Sequence, residues 1–469
     1  MGTAGASQIE VRDPGRFDDV VGTVRASTPD EVEHRVRSAE TAARTWEAMG
    51  VETRAELLLS AAAAFDDVDD ELVRLLTREN GAVMAVSRRD ISTIPSLLRM
   101  AVELGLAQLT RSPEIGDGIR LRRRPYGVIA CIIPWNSPIV LALQKVGPAL
   151  VAGNTVVVKP SPGAPLAVTH VLETIAMHLP AGVLSVVNGG GDVGVALVDH
   201  RAVRKVSFTG GEAVAREIMR LAARTFTRVH FELGGNDGAL VLDDADLEKT
   251  ASAIVSQAFR RSGQVCFAIK RVYVPRQRLN DFTDASLASL SQFLVGHGLD
   301  PASTMGPVNN AARFDHIQRL HADLRSHGAQ VEMGGVRLAP ESWDQGWYLQ
   351  PALVRDADPA DEIVLTEQFG PILPIIGYDD EATALAQLNS TEFGLCASVW
   401  SSDVERATAM AERTEAGITF VNTHALDTAA RMALPFGGIK QSGIGWEGSA
   451  AGIDEFLQYH GLRISEETQ

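Results

Sequence analysis

The first third of the chain carries a helical pattern. From about Thr28 to Leu109 apolar residues recur three or four apart, in Ala-rich stretches such as ETRAELLLSAAAAFDDV, the spacing of helices with one buried face. Thr28-Pro29-Asp30-Glu31 reads as the first start signal, with a capping threonine and proline in the first turn. The pattern then changes. Arg120–Arg124 is basic with one apolar residue, Leu121, which suits an exposed extended arm, and Gly127–Ile133 is a short apolar run of the kind buried in a parallel sheet. Strand-like and helix-like segments alternate from there: TVVVKPSP, PLAVTHVLETIAMHL, GVLSVVNGGGDVG, RKVSFTGGEAVAREIMRLAA, then VHFELGGNDGALVLDDAD with two strands around a glycine turn. This rhythm predicts an α/β protein with a parallel, doubly wound sheet. A second alternating set from about Asp246 to Asn422 predicts a second α/β domain, and LPFGGIKQSGIGWEGS is a glycine-rich loop before a last helix and strand.

At 469 residues the chain is too long for one compact core, so two or three domains are expected. No apolar run reaches the roughly 18 residues that span a bilayer. Three cysteines make no disulfide framework, which predicts a reducing, cytoplasmic setting. A net charge of −16 argues against nucleic acid or an anionic membrane as partner. It leaves an anionic substrate open, because local basic groups decide that. P-loop, HExxH, CxxC and GxSxG motifs are missing from the sequence. His230-Phe231-Glu232 is half a metal site with no Cys or His cluster to complete it, so no metal is expected.

Five places carry candidate chemistry. Gly189–Gly194, GGGDVG, matches G-x-G-x-x-G, but the acid about 20 residues on, Glu212, falls inside a helix start rather than at a strand end. Ser207–Gly211, SFTGG, joins a strand to a helix whose free N–H groups suit a pyrophosphate, or serves as an ordinary turn. Lys159 ends a strand, where the ligand crevice of such a sheet lies. Glu232 stands among apolar residues and glycines, where burial would raise its pKa toward general-base work. Cys266, in RRSGQVCFAIKR, has Arg260, Arg261 and Lys270 nearby in sequence; these and a helix terminus are candidates to lower its pKa. Most lone cysteines are inert, so that segment decides nothing by itself.

Taken in order, Pro134-Trp135-Asn136, Lys159, Phe-Thr-Gly-Gly, Glu-Leu-Gly-Gly, Gly-Gln-Val-Cys, Glu367-Gln368-Phe369-Gly370-Pro371 and Pro435-Phe436-Gly437-Gly438 resemble the aldehyde dehydrogenase superfamily from about residue 10 to 465. The 34-residue step from Glu232 to Cys266 is the family's step. The resemblance implies a Rossmann-type cofactor domain (1–106 and 126–235), an α/β catalytic domain (236–449) and a small β oligomerisation arm (107–125 and 450–469). It implies Cys266 as nucleophile, Glu232 as the base for hydrolysis, Asn136 with the Cys266 N–H as oxyanion donors, and Lys145 near the cofactor and oxyanion. NAD or NADP would be held by Pro134, Trp135, Lys159, Ser161, Gly191, Thr209, Gly210, Gly211, Leu233, Gly234, Glu367 and Phe369. Glu447 matches a second acid of some members. Arg260, Ser137, Gln144, Val265, Phe267, Thr423 and Phe436 would line the substrate site.

The chain also departs from the pattern. Pro162 stands where many NAD-using members keep a glutamate, which predicts tolerance of NADP. Gly211 replaces a serine, Arg261 an asparagine and Trp446 an arginine. Arg260 matches the arginine that grips the carboxylate in succinic semialdehyde dehydrogenases, or it faces solvent or a helix carboxylate. Arg431, in the loop Thr423–Leu434 at the substrate mouth, would be a second cation for a semialdehyde acid. Three readings are open at this point: hydrolytic oxidation of an aldehyde, acyl transfer to CoA, and a silent binding or structural protein. Glu232 argues for water over CoA, and the intact set of Cys266, Glu232, Asn136 and Lys159 argues against silence. A homodimer or homotetramer is expected from the edge strands at Ile119–Pro125 and near Phe456–Ile464.

Overall fold

A computed structural model describes residues 7–110, 114–116 and 118–465. Thr28 caps the helix Pro29–Ala48, and Glu31 returns the favour to the Thr28 N–H, a full capping box. Four more helices, Gly50–Ala63, Asp70–Asn80, Met84–Ser92 and Ile94–Leu109, follow and pack against a six-stranded sheet.

That sheet has the order Gly443–Ile444, Arg228–Glu232, Val203–Thr209, Val128–Ile132, Thr155–Lys159, Leu184–Val186. All pairings are parallel except the first, in which the chain returns from the C-terminal part and sets Gly443 opposite Glu232. The strands are apolar throughout because helices cover both faces. Ile129 and Cys131 pack with Trp46, Leu58 and Leu143, while Val128, Ala130 and Ile132 pack on the other side with Val206 and Phe208. Strand order reverses between Val128–Ile132 and Val203–Thr209, which opens the ligand crevice at their carboxyl ends. Pro134-Trp135-Asn136, Lys159, Thr209 and Glu232 all follow or end strands on that edge.

A seven-stranded sheet has the order Gln330–Met333, Ala352–Arg355, Ile372–Tyr378, Ile269–Pro275, Asp237–Val241, Cys396–Trp400, Ile418–Val421, parallel except at the first pairing. Cys266 precedes one of its strands, so the amino end of this sheet meets the carboxyl edge of the first. A three-stranded arm joins Glu114–Gly116, Ile119–Pro125 and Leu457–Arg463, and Arg123 ties it to Gln108 and Asp454. Residues 1–6, 111–113, 117 and 466–469 of the expected domains lie outside the described residues.

Candidate active site

The turn that carries Cys266 is built by backbone constraint. The helix Leu247–Ala258 ends, and a 3-10 turn, Arg260–Gly263, holds Arg261 and Ser262 at φ 53° and 58°. Gly263, at φ 75°, sits so close to the Gly370 carbonyl that any side chain would collide with it. Arg261 is locked by an ion pair with buried Asp90 and donates to the Asn136 carbonyl at 3.1 Å. The Asn136 amide donates to the Gln264 carbonyl at 2.9 Å, which brings it to the cysteine turn, and its second N–H has no acceptor among the described residues. Lys270 donates to the carbonyls of Val265 and Cys266 from below.

The structure corrects the expected activation of Cys266. Burial pushes its thiol up to about 12, and Lys270 is the one cation that opposes this, against Glu232, Glu367 and Asp237. Arg260 stacks on Phe267 and Arg261 turns to Asp90, so neither acts on the sulfur. The cysteine follows a helix C-terminus, so no helix N-terminus helps either. The other two cysteines, Cys131 and Cys396, are buried within strands and pushed higher than usual by the same burial.

Glu232 is 3% exposed and neither carboxylate oxygen has a hydrogen-bond partner. Burial, then the charge of Glu447, holds its carboxyl well above the usual range. Glu447 forms a buried ion pair with Lys145. His230 stands 3.6 Å from Glu232, its other ring nitrogen 2.8 Å from the Ser207 hydroxyl. His230 is a buried neighbour of the carboxylate.

On the cofactor side, Lys159 is buried, its ammonium bonded among the described residues only to the Pro160 carbonyl, and burial lowers it to about 8. Its stem runs along Gly194, which brings the GGGDVG segment and Gly191 to the lysine. Thr209 Oγ1 is buried without a partner. Gly210 is pressed against the Phe208 ring, so no side chain fits there, whereas the space beside Gly211 is open and a serine would fit. Glu367 lies against Gly234 and accepts from the Gly235 N–H at 3.2 Å. Leu233 is buried, with its N–H on the Ser442 carbonyl. Trp135 and Phe369 meet edge to face at 5.7 Å, with Phe369 held at φ 50°. Pro134 is half-buried at the strand end, and the Ser161 hydroxyl is spent on the Gly163 N–H. An orphaned hydroxyl, a nearly unpaired lysine and an open helix start fit a dinucleotide.

On the substrate side, Phe267 and Phe436 pack edge to face at 5.6 Å in one cluster with Cys266 and Leu426. Phe436, Gln144 and Arg431 line a narrow cleft whose other walls include Leu97, Met100, Leu143 and Leu434. The Arg260 guanidinium lies 5.2 Å from the Phe267 ring centre, and among the described residues it has no ion-pair or hydrogen-bond partner. Burial, then Arg261 and Arg89, lowers it to about 10. Arg260, Phe267, Ser137 and Thr423 do not line this cleft, nor does Cys266, and Val265 is buried. The expected loop Thr423–Leu434 contains a short helix, Thr428–Ala433, capped by Asp427. Sequence reasoning missed Asp90, and it missed that His424 holds the Phe267 carbonyl at 2.9 Å. Nothing local marks either residue, since the partners lie far away in the chain.

A sequence profile of the aldehyde dehydrogenase family matches residues 2–461. The chain is 35% identical over 455 residues to geranial dehydrogenase of Castellaniella defragrans, covering 95% of this chain and 93% of that one. It is 34% identical over 456 residues to the NADP+ succinate-semialdehyde dehydrogenase GabD of Escherichia coli, covering 96% and 93%. It superposes with a TM-score of 0.91, at 31% identity, on a mutant of aldehyde dehydrogenase C from Pseudomonas syringae in complex with NAD+ and octanal, covering 99% and 94%. The chain belongs to the aldehyde dehydrogenase family. It is an NAD(P)-dependent enzyme that oxidises an aldehyde to a carboxylic acid.

Proposed function

We propose that the oxidation is hydrolytic, with Cys266 as nucleophile and Glu232 as base, and that the substrate is a semialdehyde acid. Arg260 carries the substrate reading: a half-buried guanidinium with no ion-pair or hydrogen-bond partner among the described residues, stacked on Phe267, which clusters with Cys266. A planar cation in that state is suited to an incoming carboxylate. Arg431, burial-shifted downward and facing Arg89, Glu447 and Asp90, adds positive field at the cleft.

The half-buried Cys266 thiol releases its proton to solvent water, and its sulfur bonds to the aldehyde carbon as the carbonyl π pair moves to oxygen. The second Asn136 N–H and the Cys266 N–H, which has no acceptor among the described residues, hold that oxyanion. When bound, NAD(P)+ supplies the hydride acceptor. Lys159, Thr209, Gly191, Gly210, Gly211, Leu233, Gly234, Glu367, Phe369, Pro134, Trp135 and Ser161 form its proposed cradle. Glu232 then takes a proton from water, whose oxygen bonds to the thioester carbon and expels the Cys266 thiolate. Beside the base, the Glu447 charge raises the Glu232 carboxyl and the Lys145 charge opposes it. Pro162 is exposed and brings no carboxylate to a 2′-phosphate, which supports use of NADP as well as NAD.

The domain division (1–106 and 126–235; 236–449; 107–125 and 450–469) belongs to the same reading. The edge strand Leu457–Arg463, with Tyr459 74% exposed, supports a homodimer or homotetramer through the arm. Among the described residues no helix is long and apolar enough to cross a membrane, and a cytoplasmic setting is part of the proposal. The apolar walls of the cleft favour a second substrate reading, an uncharged alkyl aldehyde.

The test is an initial-rate matrix of NAD and NADP against alkyl, aromatic and ω-carboxylate aldehydes. A kcat/KM advantage of about tenfold for ω-carboxylates, about 1.4 kcal/mol, which Arg260→Ala removes, is the expected result. Equal losses on charged and uncharged aldehydes in that variant would return Arg260 to a packing role and leave the alkyl reading.

A further inference from the structure

Lys270 is a buried cation that none of these steps uses. It stands near the start of the strand Ile269–Pro275, 3% exposed. Its ammonium is saturated: it donates to the carbonyls of Val265 at 3.0 Å, Cys266 at 2.5 Å and Ala268 at 3.4 Å, and Glu367 Oε1 lies 3.4 Å away. A lysine buried to this degree keeps its charge only where carbonyls and a carboxylate replace its water. Two of those carbonyls belong to the proposed nucleophile and the residue before it. The carboxylate belongs to the acid seated against Gly234 and Gly235 on the cofactor side. Lys270 is thus a one-residue link between the cysteine turn and the cofactor cradle.

We infer that Lys270 is a positioning residue that holds the Cys266 turn and Glu367 together as one unit; the inference rests on the proposed roles of those two residues. Because all its protons are committed to carbonyls and a carboxylate, it cannot donate to the sulfur. It acts through the geometry of the turn and through its field. The charged groups that act on the sulfur are Lys270, Glu232, Glu367 and Asp237, and of these Lys270 alone favours the thiolate. A ligand that hydrogen-bonds to Glu367 takes charge density away from the lysine, so cofactor binding and the cysteine turn are linked through it in both directions.

The experiment uses the full-length enzyme with Lys270→Met, which removes donors and charge, and Lys270→Gln, which keeps donors and removes charge. Alkylation of Cys266 by iodoacetamide is followed against pH by peptide mass, and the dissociation constants of NAD+ and NADP+ are measured by calorimetry. In both variants alkylation at pH 8 is expected to slow roughly tenfold, a displacement of the profile by about one pH unit. The cofactor dissociation constant is expected to rise about fivefold. A parent-like alkylation profile with parent-like cofactor binding, even alongside a lowered Tm, would reduce Lys270 to packing and overturn the inference. If Lys270→Met does not fold, Lys270→Gln carries the test. Alkylation reports the thiol whether or not it is the nucleophile. Retained turnover in Cys266→Ala would therefore be a separate result, against the site reading.

Discussion

Buried Glu232 and half-buried Glu367 both act on Cys266, and the protein surrounds them in different ways. The region of Glu232 is buried and, among the described residues, gives the carboxylate no hydrogen-bond donor. The region of Glu367 gives its carboxylate a backbone N–H and a lysine. Burial raises both and a lysine opposes the rise at each, Lys270 at Glu367 and Lys145 at Glu232, but at Glu232 the larger charge effect is that of Glu447, which adds to the rise. A base needs an unsatisfied oxygen that gains by taking a proton. A carboxylate that orients a ligand needs a fixed position and can be satisfied on the protein side. The difference in surroundings therefore assigns different work to two chemically identical groups.

The largest effect that would break this contrast is at Glu232. Glu232→Gln should leave the first turnover intact, with one equivalent of reduced cofactor per site in a burst, and lower steady turnover roughly 10²- to 10⁴-fold. Steady turnover close to the parent would remove Glu232 from the hydrolytic step. A smaller effect is expected across the site: Glu367→Gln should keep a burst and raise the KM for NAD(P) about tenfold. Loss of the burst at unchanged KM would mean that the two carboxylates do not divide the work in this way.

The smallest effect is on stability. In the unfolded chain Glu232 titrates near about 4.3, below its raised folded value. Under more acidic conditions both states are protonated and burial carries no ionic penalty. As pH rises from the unfolded value toward the folded one, the unfolded state loses its proton first and stability falls. Glu232→Gln removes that loss, so its Tm gain should be about 3 °C larger at pH 7.5 than at pH 5. Glu367→Gln should show a weaker version of the same trend, because Lys270 opposes the shift. Equal gains at both pH values for Glu232→Gln would show that its carboxyl is not raised.

Much of this site can be read from the sequence, because it is written in local backbone requirements. Gly210 must pass Phe208, Gly263 must pass Gly370, and Lys159 must end a strand; each leaves a mark within a few residues. The parallel sheet is equally legible from continuous apolar runs such as Val128–Ile132. What is not legible is pairing across the chain. Asp90 meets Arg261 across 171 positions, and Lys145 meets Glu447 across 302. For the same reason the electrostatics of Cys266 were misread from sequence neighbours. Arg260 and Arg261 are adjacent in the chain but turn to Phe267 and Asp90, and Lys270 alone remains. The short helix Thr428–Ala433 depends on the Asp427 cap, a signal that sits inside a stretch read as loop.

The central claim is that an acyl group passes through Cys266 and leaves by hydrolysis at Glu232. The most direct measurement is intact and peptide mass of Glu232→Gln quenched in acid after one turnover with aldehyde and NAD(P)+, with Cys266→Ala as the partner sample. The account predicts an acyl adduct on the Cys266 peptide in the first and no adduct and no cofactor reduction in the second. Reduced cofactor formed by Cys266→Ala, or an adduct on another residue, would contradict it.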